Sequence, residues 1–234
     1  MSSILIDHSN KLGDNFMFNG IVREYCRRYD RVGIFCMPQY YASVSFMYRD
    51  LKNLQIEISK NHRQKQYLAF LYRLGIGKRH YDEIKSIYSD QETGIVCERQ
   101  LYALAGVDFG KKWSSFRIDR DKERELSLFK KIVPFEPYAF IHDDAIYKSC
   151  IDDARITSTL PRGRVEKNLT NNALDYCLAI ERAAEIHVVD SAFMFLIDCL
   201  PYSNPAQKLF VHRYARTNPR WNLPVLKKPW TILS

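Results

Sequence analysis

Three short segments carry residue types that could do chemistry. The first, His8-Ser9-Asn10-Lys11-Leu12-Gly13-Asp14-Asn15, lies between an apolar run and a helical pattern. Asp14 and His8 are side chains that take a proton from a hydroxyl, and Gly13 lets the backbone approach a ligand closely. The second, Val189-Asp190-Ser191-Ala192-Phe193, ends a strand on Asp190 and opens a helix at Ser191. The first amides of such a helix, those of Ala192 and Phe193, attract a phosphate or diphosphate. The third, Thr159-Leu160-Pro161-Arg162-Gly163-Arg164 with Lys167 nearby, is a basic cluster. Its two guanidinium groups suit the paired oxygens of a diphosphate. His142, closing another apolar run, is a third candidate base after Asp14 and His8. Each segment also has an ordinary structural reading: Asp14 and Ser191 as helix caps, His8 as a packed ring, the arginines as a solvated turn.

Strands and helices in alternation must position these groups. Residues 3–7, 31–37 and 54–58 are strand-length apolar runs, with helical periods over residues 13–29 and 41–49 between them. Continuous apolar strands separated by amphipathic helices indicate a parallel sheet covered on both faces. Residues 64–74 and 98–105 are helical, residues 78–97 are polar and fit strand or helix, and residues 117–131 form a charged amphipathic helix. Pro134-Phe135-Glu136-Pro137 then breaks the helix, and the domain boundary is placed there. Beyond it the alternation restarts, with strands at 138–142, 154–158, 186–189 and 208–212 and helices at 172–184 and 191–200. The basic, aromatic segment 212–221 reads first as a surface return, with contact to a nucleotide base or acceptor as the alternative, and residues 224–233 pack the terminus down. The expected fold class is α/β: two Rossmann-like domains, residues 1–133 and 134–234, each with a parallel sheet, and a cleft between them. Ligands in such sheets bind outside the carboxyl ends of the strands, where the first two segments fall.

Composition narrows the function. The chain has 234 residues, 46% hydrophobic and 26% charged, which excludes a disordered or fibrous protein. A net charge of +8 favours acidic partners. Its 15 Tyr and 13 Phe follow the periodic apolar pattern and its basic residues form no single dense run, so a non-catalytic nucleic-acid binder is the weaker alternative. No G-x-G-x-x-G follows the first strand and no G-x-S-x-G elbow occurs, which argues against a NAD-type oxidoreductase and a serine hydrolase. Cys26, Cys36, Cys97, Cys150, Cys177 and Cys199 include no C-x-x-C pair and read as buried thiols in a reducing compartment. With no signal-peptide pattern and no run of about 20 apolar residues, a soluble cytoplasmic protein without a transmembrane segment is expected.

Leu12-Gly13-Asp14 and the stretch Asp190-Ser191-Ala192-Phe193-Met194-Phe195-Leu196-Ile197-Asp198-Cys199-Leu200 together resemble glycosyltransferases of GT-B fold. They are most like the ADP-heptose:lipopolysaccharide heptosyltransferases, with an L-G-D segment after the first strand and a D-(S/T)-G-L-x-H-L-A-type helix start. The resemblance implies transfer of a sugar from a nucleotide-diphosphate sugar to a hydroxyl of a glycan or other acceptor. It places the acceptor in the N-terminal domain, the nucleotide sugar in the C-terminal domain and the catalytic aspartate at Asp14. Asp190, Ser191 and the amides of Ala192 and Phe193 would lie under the diphosphate, and direct displacement implies inversion. Ala192 stands where the family prefers glycine and Phe195 where it has histidine. The chain is about 100 residues shorter than common two-domain transferases, so the resemblance implies a compact variant. Negative charge on the leaving diphosphate would be met by Arg162, Arg164, Lys167 and the helix starting at Ser191, with no metal and no cofactor beyond the nucleotide sugar as co-substrate. A metal-dependent transferase is the alternative, for which Asp119-Arg120-Asp121 and Asp143-Asp144 are the acidic pairs. The oligomeric state is left open.

Overall fold

Four parallel strands, β1 (Ser3–Asp7), β2 (Arg31–Cys36), β3 (Leu54–Ile58) and β4 (Glu83–Ser86), form the first sheet of the computed structural model, in the order β3-β2-β1-β4. The structure describes residues 2–76, 80–89, 97–144, 148–166, 168–216 and 223–234. β1 and β2 occupy the middle, and Ile4, Leu5, Ile6, Val32, Ile34 and Phe35 have no exposed surface. Central strands covered on both faces have no polar side to show, which is why their sequence is continuously apolar. Five helices accompany this sheet among the described residues: α1 (Leu12–Arg28), α2 (Tyr41–Met47), α3 (His62–Arg73), α4 (Cys97–Ala105) and α5 (Lys111–Ser114). The polar segment left open between strand and helix supplies β4, which pairs with β1 from Ile4 opposite Glu83 to Asp7 opposite Ser86. The chain steps outward from β1 to β3, then returns to the other side of β1. The crevice where the order reverses therefore lies at the carboxyl ends of β1 and β4.

The approach of α5 to α1 depends on Gly20. A Cβ there would collide with the Lys111 carbonyl and the Tyr102 hydroxyl. Gly20→Ala is therefore expected to lower stability by about 1–3 kcal/mol through overpacking, read as a lower urea midpoint. An unchanged midpoint would mean that the two helices separate without penalty.

The second sheet contains β5 (Ala139–His142), β6 (Arg162–Arg164), β7 (Glu185–Val189), β8 (Lys208–His212) and β9 (Trp230–Leu233). All are parallel, in the order β6-β5-β7-β8-β9, and the order reverses between β5 and β7. Its helices are α6 (Lys122–Ile132), α7 (Cys177–Arg182) and α8 (Ala192–Cys199). The chain divides into two units, Met1–Asp119 and Arg120–Ser234, earlier than the proline pair suggested. The reason is α6, which belongs with the second unit. Arg124 holds Asp175 through two nitrogens at 3.0 and 2.8 Å, Arg120 pairs with Glu125 and Glu181, and Leu128 and Ile132 are buried.

Two further expectations change. Residues 154–158 are not a strand: a short 3-10 turn spans Asp153–Arg155, and Ile156 joins Ile141, Ile151 and Val189 in the core. The strand pairing with β5 is instead Arg162–Arg164, where buried Gly163 approaches the Ile132 carbonyl and the flanking arginines suit a sheet edge. The C-terminal residues do more than pack down, since β9 extends the sheet. Of the cysteines read as buried, Cys36, Cys177 and Cys199 are buried, Cys26 and Cys97 are half-buried and Cys150 is exposed. Among the described residues no helix is long and apolar enough to cross a membrane.

Candidate functional site

At the carboxyl end of β1 the chain passes through His8 into α1. His8 has no exposed surface, its ring stacks on Phe18 with centroids 4.3 Å apart, and neither ring nitrogen has a hydrogen-bond partner. Burial pushes its pKa down to about 4, so the imidazole is neutral. A ring with no exposed atom does not reach a substrate hydroxyl, and His8 is packed as a core side chain.

Asp14 is the third residue of α1 and half-buried; Gly13 precedes it in the same first turn. Asp14 Oδ2 accepts the Lys11 N–H at 3.2 Å, so the carboxylate does cap the helix. Burial raises its pKa, opposed by that hydrogen bond and by the charges of Lys11 and Lys65. A carboxylate shifted upward is better matched to a hydroxyl proton.

A group that sequence reasoning passed over stands at the same sheet end. Lys65 on α3 is 2% exposed, yet its ammonium donates to the His8 carbonyl at 2.8 Å and to the Tyr88 hydroxyl, and lies 3.0 Å from Asp7 Oδ1. Tyr88 in turn donates to Asp7 Oδ1 at 2.6 Å. The signal was present: Lys65 shares a helical stripe with Leu68, Ala69 and Tyr72, which pack towards Leu5, Phe35 and Tyr81.

In the second unit the reversal point brings His142, at the end of β5, beside the loop after β7. His142 Nδ1 lies 3.4 Å from Ser191 Oγ, and its ring stacks on Phe193 at 3.9 Å. Ser191 occupies the N-cap position of α8, but its side chain does not cap the helix. Ala192 and Phe193 supply the opening amides, and such amides have no acceptor within the helix. Asp190 is 1% exposed; Arg216 donates to its carbonyl and Arg213 Nε lies 3.8 Å from its carboxylate. The return segment after β8, read mainly as a surface crossing, thus brings two of its arginines here.

The expected basic cluster is differently placed. Arg162 pairs with Asp153 at 2.8 Å, and the Arg164 guanidinium is held by Asp143 and Asp153. Both arginines carry carboxylate partners, which a diphosphate would have to displace. Lys167 lies outside the described residues. The acidic pairs are engaged as well: Asp119 lies 3.3 Å from Arg49, Asp121 caps α6 by accepting the Arg124 N–H at 3.0 Å, and Asp143 accepts the Ile151 N–H at 2.8 Å.

The buried histidines have a measurable consequence. His142 and His212 are also pushed down to about 4 by burial, and His187 is lowered. His187 and His212 share a 2.9 Å hydrogen bond, continued from His212 to the Tyr214 hydroxyl at 2.9 Å. An unfolded histidine gains its proton near 6.5, whereas His8, His142 and His212 wait until about 4 in the folded chain. The unfolded state therefore binds more protons in that window, and stability falls as pH drops through it. The urea midpoint is expected to decline from neutral pH towards about pH 4; a flat profile contradicts this account.

By sequence, no family model matches this chain and no curated protein matches it. By structure, it superposes on Escherichia coli ADP-heptose lps heptosyltransferase II with a TM-score of 0.61 at 11% identity, covering 100% of this chain and 90% of that one. A glycosyl transferase of family 9 from Veillonella parvula gives 0.59 at 9% identity, covering 99% and 85%. The iron-containing dodecameric glycosyltransferase TibC from enterotoxigenic E. coli gives 0.50 at 12% identity, covering 88% and 62%. This chain carries the heptosyltransferase fold. Asp14 and the Asp190–Phe193 loop each follow a central strand beside the point where strand order reverses in their own unit.

Proposed function

We propose that the chain is a glycosyltransferase that moves a sugar from a nucleotide-diphosphate sugar to a hydroxyl of a glycan or other acceptor. The observation that carries this reading is the pair of loops, one ending in a half-buried carboxylate with a raised pKa and one opening a helix, at the reversal points of a fold shared with heptosyltransferases. In this reading the first unit holds the acceptor and Asp14 takes its proton. The freed oxygen attacks the anomeric carbon, the bond to the diphosphate breaks, and direct displacement inverts the centre. Charge building on the diphosphate is met by the amides of Ala192 and Phe193, with Arg213, Arg216, Arg162 and Arg164 joining as they exchange their protein partners for phosphate. This donor set supplies positive charge without a metal. The enzyme would meet its nucleotide sugar in the cytoplasm.

Calorimetry against a panel of nucleoside diphosphates, with and without Mg²⁺ or Mn²⁺, tests the donor half. Binding of at least one nucleotide without metal is expected. Failure of every nucleotide to bind overturns the reading, and binding only with metal transfers it to the metal-dependent alternative.

A further inference from the structure

The two faces of α3 differ in a way that the fold does not require. Lys65, Leu68, Ala69 and Tyr72 recur at helical spacing on the face that anchors the helix to the first sheet. On the opposite side Tyr67, Phe70 and Leu74 follow the same period but stand 61%, 55% and 54% exposed, and Ile76 beyond the helix end is 52% exposed. A surface helix ordinarily presents polar residues there. Along this segment the charges have one sign. Lys60, Arg63 and Arg73 are exposed, and no Asp or Glu occurs from Ser59 to Ile76. Arg63 precedes Tyr67 by one turn, and Arg73 adjoins Leu74.

We infer that this face of α3 is a docking surface for an anionic lipid bilayer. The helix lies along the membrane plane, with Tyr67, Phe70, Leu74 and Ile76 entering the boundary between headgroups and acyl chains. Lys60, Arg63 and Arg73 meet the lipid phosphates. Charge complementarity selects an anionic partner. The aliphatic half of the stripe selects lipid over nucleic acid, since single strands stack on aromatic rings and gain little from Leu74 or Ile76. This inference does not depend on the sugar-transfer reading.

Co-sedimentation of the full chain with vesicles of phosphatidylcholine alone, or mixed with phosphatidylglycerol, tests it. The protein is expected to pellet with the phosphatidylglycerol vesicles only, and less so as salt rises. A Tyr67→Ser/Phe70→Ser double variant should bind at least about tenfold more weakly. Because both side chains point away from the core, its thermal midpoint should match the parent. An Arg63→Gln/Arg73→Gln variant, which leaves the apolar stripe intact, should also lose about tenfold and much of the salt dependence. Absence of binding to anionic vesicles, or parental binding by both double variants, overturns the inference. So does self-association through the same residues without lipid, or tighter binding to a single-stranded oligonucleotide that the same substitutions abolish.

Discussion

Asp14→Asn is expected to reduce sugar transfer by about 10²–10⁴-fold, the usual contribution of a general base, while nucleotide affinity stays near that of the parent. The substitution separates two roles that Asp14 holds at once. Its Oδ2 accepts the Lys11 N–H, and an asparagine oxygen can do the same, so the start of α1 keeps its cap. What asparagine cannot do is take a proton. Stability moves the other way from activity: burial raises the Asp14 pKa, so the folded chain binds its proton more readily than the unfolded one. Its ionisation therefore opposes folding at neutral pH, and the variant's unfolding midpoint should stay level or rise. Release of nucleoside diphosphate from sugar donors built on the nucleotide that calorimetry selects, measured beside a thermal melt, separates the cases. Full transfer by the variant removes Asp14 as the base, and a lowered midpoint accompanying lost transfer makes it a structural cap.

The second large effect falls on stability. Asp198, 2% exposed on α8, accepts the backbone N–H groups of Lys227 and Lys228 at 2.9 and 3.0 Å and the Trp230 indole N–H at 3.1 Å. One carboxylate thus fixes the chain as it enters β9. Asp198→Ala leaves those donors without their acceptor, and hydrogen bonds to a charged group contribute about 1.5–3 kcal/mol each without being additive. A loss of about 3–5 kcal/mol is expected, a large share of the roughly 5–15 kcal/mol by which a domain is stable. Hydrogen exchange should show the Trp230–Leu233 amides losing protection first. Asp198→Asn, which keeps an acceptor, should fall between the two. If the Ala variant unfolds at the parental urea concentration, the terminal strand is held by other contacts.

The strands most plainly legible in the sequence are those where burial is most complete. The runs at β1, β2 and β5 are mostly apolar because both faces of each strand are covered, and β7 is as fully buried although it carries Glu185 and His187. Edge strands carry a weaker mark: β3, at one edge of its sheet, still reads as a run of alternating apolar residues at 54–58, whereas two other edge strands do not. β4 reads Glu-Ile-Lys-Ser, and β6 is three residues with an arginine at each end. Their identity as strands comes from pairing with β1 and β5, which no local pattern encodes. The same limit governs the site. Asp14 and Ser191 could be placed at helix starts from strand–loop–helix order alone. That Arg164 would be occupied by Asp143 and Asp153, or that Phe18 would close over His8, depends on partners set by tertiary packing. Lys65 was the accessible exception, a charged residue inside an apolar stripe.

Each parallel sheet is assembled from one uninterrupted stretch of chain, with β1 to β4 preceding Asp119 and β5 to β9 following Arg120. Neither sheet borrows a strand from the other half, so each half of the coding sequence specifies a whole sheet and one of the two loops. Such a division lets inheritance treat the halves as separable modules. A change that retunes the loop after β7 does not disturb the pairing of β1 with β2, and recombination at one point between the units exchanges one loop set while preserving the other.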